Sequence, residues 1–463
     1  VILTMYQTLG DLDGVGGPLV NIIMKNYKKI DAMTYDIEIW DTIYDTAGNH
    51  ITAADVVWCH QTAVKAGNNT NTRYIANIET TGEYTLRLVL NADFVGVFEN
   101  VVKIVCIVSR KAYEASADEM STTPIGTTQY RLTSFVPGAS ATFEKTGNYW
   151  QKDPAALAAQ KMYGVANVDK IVYTTIREAS QMAIALETGS IDMGLSMDYI
   201  EARRFMEEGA SSAGFTVFDQ IINIGNQMYL SGDTGSPFYN NKALRQAALY
   251  AVDRQGLVDA ILNGYGVVEY TFGGDSFSDF NPAWKNDDYY NYSPDKAKEL
   301  LANSGYNGKA LRIMTDNTSQ RNRVAQMIQG YLLQAGINSE ILQYDSALFN
   351  SYKNKPSEWE IMLDNTGSSD YLVTVWRGKF DARQYSSGTI NGWKDPQLQQ
   401  LMETAVSTSG HTQANMDAFH YYFKEQAYGL GLFNHAFFSV TVNGIKGIVY
   451  DAKMFVYAPG VTF

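Results

Sequence analysis

The sequence is poor in the residue types that build metal centres and disulfide frameworks. Its 463 residues include only 2 Cys and 5 His. The histidines form no His-x-x-x-His or His-Glu-x-x-His pair, so no zinc or other metal site and no cofactor is predicted. The sequence also lacks the known phosphate-binding and nucleophile motifs, namely GxxxxGK[ST], GxSxG and a GxGxxG that follows a strand. These absences favour a binding protein over an enzyme.

Positive charge and long apolar runs are scarce as well. The chain carries 36 Lys and Arg against 49 Asp and Glu, a net charge of −13, so it has no basic stripe that could neutralise a nucleic-acid backbone. The most apolar stretch, residues 101–108, is VVKIVCIV. It is far shorter than the ~20 residues that cross a bilayer, and we predict a strand there.

What is present is enough apolar material for more than one core. A chain of 463 residues that is 45% hydrophobic exceeds one ordinary core, so two or more lobes are expected. The 31 Tyr suit core packing or flat amphipathic binding surfaces, and packing is expected for most. Cys59 on a predicted helix and Cys106 in the predicted strand are expected to be free thiols, with a single disulfide as the alternative.

In the first part of the chain, local patterns predict several strands and a capped helix. Residues 34–40 and 83–90 alternate between apolar and polar side chains, which is typical of strands. Thr52, with Asp55 three residues later, predicts a capping box that opens a helix through Val64. Residues 124–150 predict a hairpin with its turn at Pro137 and Gly138.

From residue 168 the pattern changes to alternating helices and strands. A strand at 168–176, a helix at 179–189 and a strand at 191–193 predict a βαβ unit of a mostly parallel sheet. Apolar periodicity predicts one long helix over 241–262. Further helices are predicted from Ser293-Pro294 to Gly305 and over 319–335. Together these patterns predict two α/β lobes with a crossing near residues 225–226.

Six short blocks follow one another in order: GNHITAADVV (48–57), PIGTTQYRL with NYW (124–132 and 148–150), LETGSIDM (186–193), KALRQAALYAVDR (242–254), YSPDKAKELLANSGY (292–306) and LLQAGI (332–337). In this order they resemble family 5 extracellular solute-binding proteins, the group that contains the oligopeptide-, dipeptide- and nickel-binding receptors of ABC importers. Each block is a turn, a cap or an amphipathic helix. The blocks therefore indicate a scaffold and do not specify a ligand.

The resemblance implies an α/β fold, a bilobed periplasmic-binding-protein-like clamshell of type II-like form with an extra subdomain in the first lobe. We expect a first lobe over 1–228 with the extra subdomain at 9–158. The second lobe covers 229–436, and 437–463 returns to the first lobe. Family members carry a further N-terminal segment whose strand helps to line the cleft, so we expect the natural N-terminus to precede the first residue given.

The resemblance also implies a function. We expect a non-enzymatic, monomeric receptor that captures a small solute, a short peptide by preference, and delivers it to an ABC-transporter membrane permease. It would act at the outer face of the cell membrane, held there by a lipid anchor, or in the periplasm. An oligosaccharide or another solute is the alternative ligand, a peptide-pheromone sensor is an alternative role, and a secreted hydrolase is the alternative class.

Candidate ligand-binding residues follow from the same resemblance. In peptide-binding members, an Asp in an Ala-Asp-Tyr tripeptide pairs with the ligand's α-amino group, and Ser369-Asp370-Tyr371 falls at the matching place. A carboxylate suits this role because it accepts a charge-assisted hydrogen bond from an ammonium. Closing a surface turn is the equal alternative for Asp370.

Four neighbouring side chains complete the candidate set. Trp376 and Trp393 could form apolar walls of the site, although core packing is the alternative for each. Arg377 and Arg383 are candidate partners for a ligand carboxylate.

Overall fold

The structure, a computed structural model, describes residues 2–13, 17–67, 71–163, 168–197, 199–206, 214–221, 224–367, 369–386, 388–449, 456 and 458–462. The chain divides into two compact units: unit 1 contains Val1–Phe218 and Phe438–Phe463, and unit 2 contains Asp219–Phe437. The chain therefore passes from unit 1 to unit 2 after residue 218, earlier than the expected boundary between residues 228 and 229. It returns to unit 1 after residue 437, one residue later than the expected boundary between residues 436 and 437. The extra subdomain at 9–158 is not separated as a unit and stays a prediction.

Unit 1 is built from short strands and helices. Its strands are β1 (Gly10–Leu12), β2 (Leu19–Asn21), β3 (Met24–Lys29), β4 (Thr34–Ile39), β5 (Ile75–Gly82), β6 (Thr85–Leu90), β7 (Tyr130–Val136), β8 (Ser140–Lys145), β9 (Lys170–Thr174) and β10 (Met193–Met197). Its helices are α1 (Ala53–Ala66), α2 (Val97–Val102), α3 (Arg110–Ala115), α4 (Pro154–Ala159), α5 (Ala179–Glu187) and α6 (Tyr199–Ala202). The strands pair antiparallel as β1-β2, β3-β4-β6-β5 and β7-β8-β9.

Unit 2 alternates helices and strands. The remaining strands are β11 (Phe215–Ile221, at the crossing), β12 (Asn226–Leu230), β13 (Gly266–Val268), β14 (Leu311–Asp316), β15 (Ser339–Tyr344), β16 (Ile361–Asn365) and β17 (Gly429–Val442). The helices are α7 (Lys242–Tyr250), α8 (Arg254–Leu262), α9 (Pro294–Ala302), α10 (Ser319–Ala335), α11 (Ser346–Tyr352), α12 (Leu372–Phe380), α13 (Pro396–Val406) and α14 (Gln413–Gln426).

Single turns of 3-10 helix supplement these elements in both units. They lie at Ile2–Thr4, Thr72–Tyr74, Lys161–Tyr163, Arg203–Phe205, Pro282–Asn286, Pro356–Glu358, Ala382–Gln384 and Ala458–Gly460.

The sheet of unit 2 has the strand order β13-β17-β12-β16-β14-β15. Strands β14, β15 and β16 run parallel, whereas β12 is antiparallel to both of its neighbours. One face of this sheet packs on helices α7 to α10 through a wholly apolar cluster that includes Met228, Leu230, Ile313, Ile361 and Leu363. Burying this face holds the strands in a fixed register.

Several local predictions are confirmed. Tyr35, Ile37 and Ile39 of β4 are buried. The backbone N–H of Thr52 donates to Asp55 Oδ2 at 2.8 Å, which is half of the predicted capping box. The hairpin β7–β8 turns at the predicted position, and α9 and α10 begin where Pro294 and the 319–335 pattern place them.

Three sequence predictions are wrong. The βαβ unit does not form, because β9 pairs with β8 in one sheet and β10 pairs antiparallel with the end of β17. Residues 101–108 are the end of α2 and a turn, with a single bridge from Ile107 to Gln7, and not a strand. The predicted long helix is two helices, because the Asp253 side chain accepts a hydrogen bond from Gly256 N and caps α8.

Two further findings bear on function class. Cys59 and Cys106 are free, and burial raises the pKa of their thiols to about 12 and about 11. Within the described ranges, none of the helices combines the length and apolar composition needed to span a bilayer.

Candidate functional site

The edge of the unit 2 sheet at which the parallel strands end is the natural place for a ligand. Strands β14, β15 and β16 end there, and β12, antiparallel to β16, begins there, with Asn226 opposite Asn365. Ligands of open α/β sheets bind outside the carboxyl ends of the strands. We call this margin of the sheet the carboxyl edge.

The β16 loop, of which the structure describes residues 366, 367 and 369–371, connects β16 to α12 at the carboxyl edge. Thr366 N–H donates to the carbonyl of Gly225 and Gly225 N–H donates to Thr366 Oγ1, both at 3.0 Å. Ser369 Oγ donates to the carbonyl of Tyr371 at 3.0 Å. Asp370 is only 5% exposed, so the sequence-predicted carboxylate is withdrawn from water.

The first backbone N–H groups of α12, the helix that follows the β16 loop, donate hydrogen bonds to a side chain of unit 2. Asp279 accepts from Leu372 N at 2.8 Å and from Val373 N at 3.2 Å. Burial raises the pKa of Asp279. The ring of Tyr371, which precedes α12, lies 6.4 Å from that of His411, centroid to centroid. The N-terminus of α12 therefore fixes the loop in place.

Polar side chains cross the sheet face opposite the apolar cluster, one residue inside the carboxyl edge. Gln227 of β12 is directly opposite Asp364 of β16, and Asp316 of β14 lies level with Asp364 because Met314 pairs with Met362. Arg321 Nη1 lies 2.5 Å from Asp316 Oδ2 and 3.7 Å from Asp364 Oδ1. We call these four residues the polar row. Sequence reasoning missed it, although β12 and β16 each place a polar residue within an apolar strand.

Lys379 of α12 lies beside the polar row. Its Nζ is 5.9 Å from the ring centroid of the buried Tyr229. Burial lowers the pKa of Lys379; the charge of Asp364 opposes that shift, and the charges of Lys353 and Arg321 reinforce it.

The two candidate arginines have acidic partners within unit 2. Arg377 Nε lies 3.9 Å from Asp381 Oδ2, and Arg383 Nε lies 2.8 Å from Asp381 Oδ1. Arg383 also lies 3.3 Å from Glu403. Both arginines therefore take part in the ion-pair network around the buried Asp381.

A second polar group, which we call the amide–carboxyl cluster, consists of Gln227, Glu269 and Asn434. All three are at most 1% exposed. Glu269 Oε2 accepts from Gln227 Nε2 and from Gly273 N, the latter at 3.1 Å. Burial raises the pKa of Glu269 to about 8, and Arg254 opposes that shift. A Cβ on Gly225 would lie 1.7 Å from Glu269 Oε1, so only glycine fits beside the cluster.

The two candidate tryptophans belong to the core of unit 2. Trp376 is 0% exposed, stacks on Phe419 at 4.4 Å and donates from Nε1 to the carbonyl of Phe272 at 2.8 Å. Trp393 stacks on Tyr428 at 4.3 Å and donates to the carbonyl of Leu230 at 3.0 Å. Each indole ring thus stacks on another aromatic ring of unit 2, and each indole N–H has a backbone carbonyl as its acceptor.

The described part of the chain offers no metal centre. No group of three or more His, Cys, Asp or Glu side chains is placed to hold a metal ion there. The polar row pairs its two carboxylates with Arg321, which makes it a binding or structural feature and not an acid–base pair.

The chain belongs to the bacterial extracellular solute-binding proteins of family 5: the model of that family's middle region matches residues 21–407. The glutathione-binding protein GsiB of Escherichia coli (strain K12) is 25% identical over 361 residues. That alignment covers 75% of this chain and 65% of GsiB, so the chain spans less than two thirds of the relative. The resemblance inferred from the six blocks is confirmed.

Solved structures confirm the fold class. AppA from Clostridium difficile superposes with a TM-score of 0.84 at 16% identity, covering 99% of this chain and 95% of that one. The oligopeptide-binding protein AppA from Bacillus subtilis, solved in complex with a nonapeptide, superposes with a TM-score of 0.70 at 17% identity. That superposition covers 97% of this chain and 91% of the other. The predicted periplasmic-binding-protein-like α/β fold is therefore correct.

Proposed function

We propose that this chain is the substrate-binding component of an ABC importer that captures a short peptide and delivers it to a membrane permease. It acts as a monomer, without cofactor or turnover. It works outside the cytoplasmic membrane, held by a lipid anchor or free in the periplasm. Family membership supports the receptor role. The names of two similar proteins, one binding glutathione and one holding a nonapeptide, support a peptide as the ligand.

The observation that carries the peptide assignment is the position and burial of Asp370. Its side chain lies in the β16 loop at the carboxyl edge, where the resemblance expects the partner of a peptide α-amine, and it is 5% exposed. A carboxylate withdrawn from water binds an ammonium through a charge-assisted hydrogen bond. The adjacent ring of Tyr371 supplies apolar surface for the first residue of the peptide.

The alternatives have less support. An oligosaccharide site needs open aromatic faces, yet Trp376 and Trp393 are stacked in the core. A glycosidase-like hydrolase needs a carboxylate pair free to exchange protons. The paired carboxylates of the polar row, Asp316 and Asp364, instead share Arg321.

The test is calorimetry with alanine peptides of two to nine residues on the parent chain and on Asp370→Asn. Removing one partner of a buried ion pair costs ~3–5 kcal/mol, which weakens binding by about two to almost four orders of magnitude. N-acetylated peptide should show a similar loss on the parent and little further loss on the variant, because both changes remove one contact.

Asp259→Asn is the matched control, since it removes an exposed carboxylate on α8. It should leave binding within about threefold. Full-strength binding by Asp370→Asn, or losses that simply add, would place the amine elsewhere. If no alanine peptide binds the parent chain, the peptide assignment fails.

A further inference from the structure

Helix α12 begins directly after the candidate residues Asp370 and Tyr371 and has a tyrosine at its N-cap position. Ser, Thr, Asp and Asn are the residues whose side chains ordinarily accept hydrogen bonds from the first N–H groups of a helix. Ser369 lies two residues before Tyr371, but its hydroxyl bonds to the carbonyl of Tyr371 and to the hydroxyl of Thr374. The residues next to α12 are therefore poorly suited to cap it.

Asp279, which lies 93 residues before Leu372 in the sequence, caps α12 instead. One carboxylate oxygen accepts from Leu372 N at 2.8 Å, and the other accepts from Val373 N at 3.2 Å. The side chain of Asp279 is 6% exposed, so little water competes for these bonds. His411 Nε2 lies 3.9 Å from Asp279 Oδ2, and the His411 ring meets that of Tyr371 edge-on. The carboxylate thus lies between the start of α12 and His411.

The segment that carries Asp279 is itself packed against α12. We call residues 272–280 the capping segment. The carbonyl of Phe272 accepts from Trp376 Nε1, in the middle of the helix, at 2.8 Å. A Cβ on Gly273 would lie 2.4 Å from Leu372 Cδ1, so glycine permits this close approach. Contacts along α12 therefore fix the position of the capping segment relative to the helix.

The negative charge of Asp279 suits the start of a helix. The N-terminal end of the helix macrodipole attracts an anion. Burial raises the pKa of Asp279, whereas the N–H groups of Leu372 and Val373 and the charge of His411 oppose that shift. The bonds that hold α12 in place therefore also favour the charged form of the carboxyl.

We propose that Asp279 is a positioning residue that sets the selectivity of the receptor for a free α-amine. The inference rests on the proposed peptide function, in which Asp370 pairs with that amine. Asp370 lies two residues before Leu372, so the bonds from Asp279 fix the backbone next to the Asp370 carboxylate. A charged hydrogen bond depends on distance and direction. Freeing the start of α12 therefore weakens recognition of the amine more than it weakens contacts elsewhere on the peptide.

The test is calorimetry with free-amine and N-acetylated alanine peptides on the parent chain and on Asp279→Ala. The free-amine peptide should bind Asp279→Ala about tenfold or more weakly than it binds the parent. The acetylated peptide should weaken by less than about threefold, because it makes no charged bond to Asp370. The ratio of the two affinities should therefore fall by about threefold or more. A general loss of folded protein would lower both affinities equally and leave that ratio unchanged.

Asp345→Ala is the matched control, because Asp345 caps another helix of unit 2 in the same way. Its carboxylate accepts from Ala347 N and Leu348 N at the start of α11, both at 2.9 Å. Removing this cap takes away an equivalent pair of hydrogen bonds far along the chain from Asp370. The control variant should keep the parent ratio of free-amine to acetylated affinity.

Amide hydrogen exchange tests the cap without any ligand. The amides of Leu372 and Val373 should exchange faster in Asp279→Ala than in the parent, because their bonds to the carboxylate are removed. Asp279→Asn keeps one acceptor oxygen and should fall between the parent and Asp279→Ala in both measurements. It replaces the alanine variant if that variant does not fold.

An unchanged affinity ratio in the Asp279 variants would overturn the role of Asp279 while leaving the peptide receptor intact. Unchanged hydrogen exchange at Leu372 and Val373 would do the same. Failure of every alanine peptide to bind the parent would overturn both proposals.

Discussion

Replacing Glu269 by glutamine should stabilise unit 2 increasingly as the pH rises. Glu269 is fully buried in the amide–carboxyl cluster, and burial raises its pKa from 4.5 to about 8. In the unfolded chain the carboxyl is solvated and titrates near 4.5. Folding between these two values therefore requires the side chain to take up a proton. Glutamine has nearly the same shape and is neutral in both states.

The size of the effect follows from the difference between the two pKa values. The stability contributed by the raised group is fully present below pH 4.5 and is lost as the pH rises through 8. At 1.36 kcal/mol per unit of pKa, the total loss is about 5 kcal/mol, of which about 3 kcal/mol has gone by pH 7. The free energy of unfolding of Glu269→Gln, minus that of the parent, should therefore increase by about 5 kcal/mol between pH 4.5 and 8.5.

The assay is urea unfolding at intervals of pH, followed by fluorescence. The buried tryptophans of unit 2, Trp284, Trp359, Trp376 and Trp393, report the transition. Subtracting the parent curve removes the contribution of every other titrating group. Glu299→Gln, at an exposed position on α9, makes the same chemical change, and its difference from the parent should stay within about 0.5 kcal/mol at every pH.

A flat difference curve for Glu269→Gln would refute the reasoning. It would mean that the carboxylate stays charged when folded and that Arg254 outweighs the cost of burial. A variant that is less stable by a constant amount would instead indicate that the glutamine amide misfits beside Gly225 and Asn434.

Two other outcomes are expected. Gly225→Ala should destabilise unit 2 by about 1–3 kcal/mol in urea unfolding, because its Cβ would lie 1.7 Å from Glu269 Oε1 and 2.6 Å from Asn434 Oδ1. The control is Gly330→Ala in α10, where no atom lies within 4 Å of the added Cβ, and this variant should be neutral or stabilised by up to ~1 kcal/mol. Equal losses of stability at the two sites would contradict this account. Alanine peptides incubated with the protein should be found intact by mass spectrometry, because the carboxylates of the polar row are held by Arg321. Cleavage above the level of a mock-purified control would instead indicate that the protein is a hydrolase.

The features that the sequence predicted correctly depend on residues close together in the chain. Three such features are the capping pair Thr52 and Asp55, the start of α9 at Pro294 and the end of α10 at Gly336, which has a φ of 93°. Each is specified by residues that lie within one helical turn of each other. The six family blocks are of the same kind, since each is a cap, a turn or a helix face. Local hydrogen bonds and backbone preferences suffice to specify such features.

The errors arose where strand pairing decides the outcome. Residues 168–193 have the local pattern of a βαβ unit, yet β9 pairs with β8 while β10 pairs with β17, more than 200 residues away. Residues 101–108 are apolar enough for a strand but find no partner strand beyond a single bridge at Ile107. Alternation alone does not specify which strands pair, because the pairing energy comes from distant segments.

The candidate site divides in the same way. The sequence alone indicated the family scaffold and singled out Asp370 as a candidate ligand-binding residue, since both follow from short motifs in the right order. Only the tertiary structure assembled the polar row, because the register of three strands brings Gln227, Asp364 and Asp316 level on one face. The raised pKa of Glu269 and the lowered pKa of Lys379 likewise depend on burial and neighbouring charge, which are properties of the packed protein and not of any local stretch of sequence.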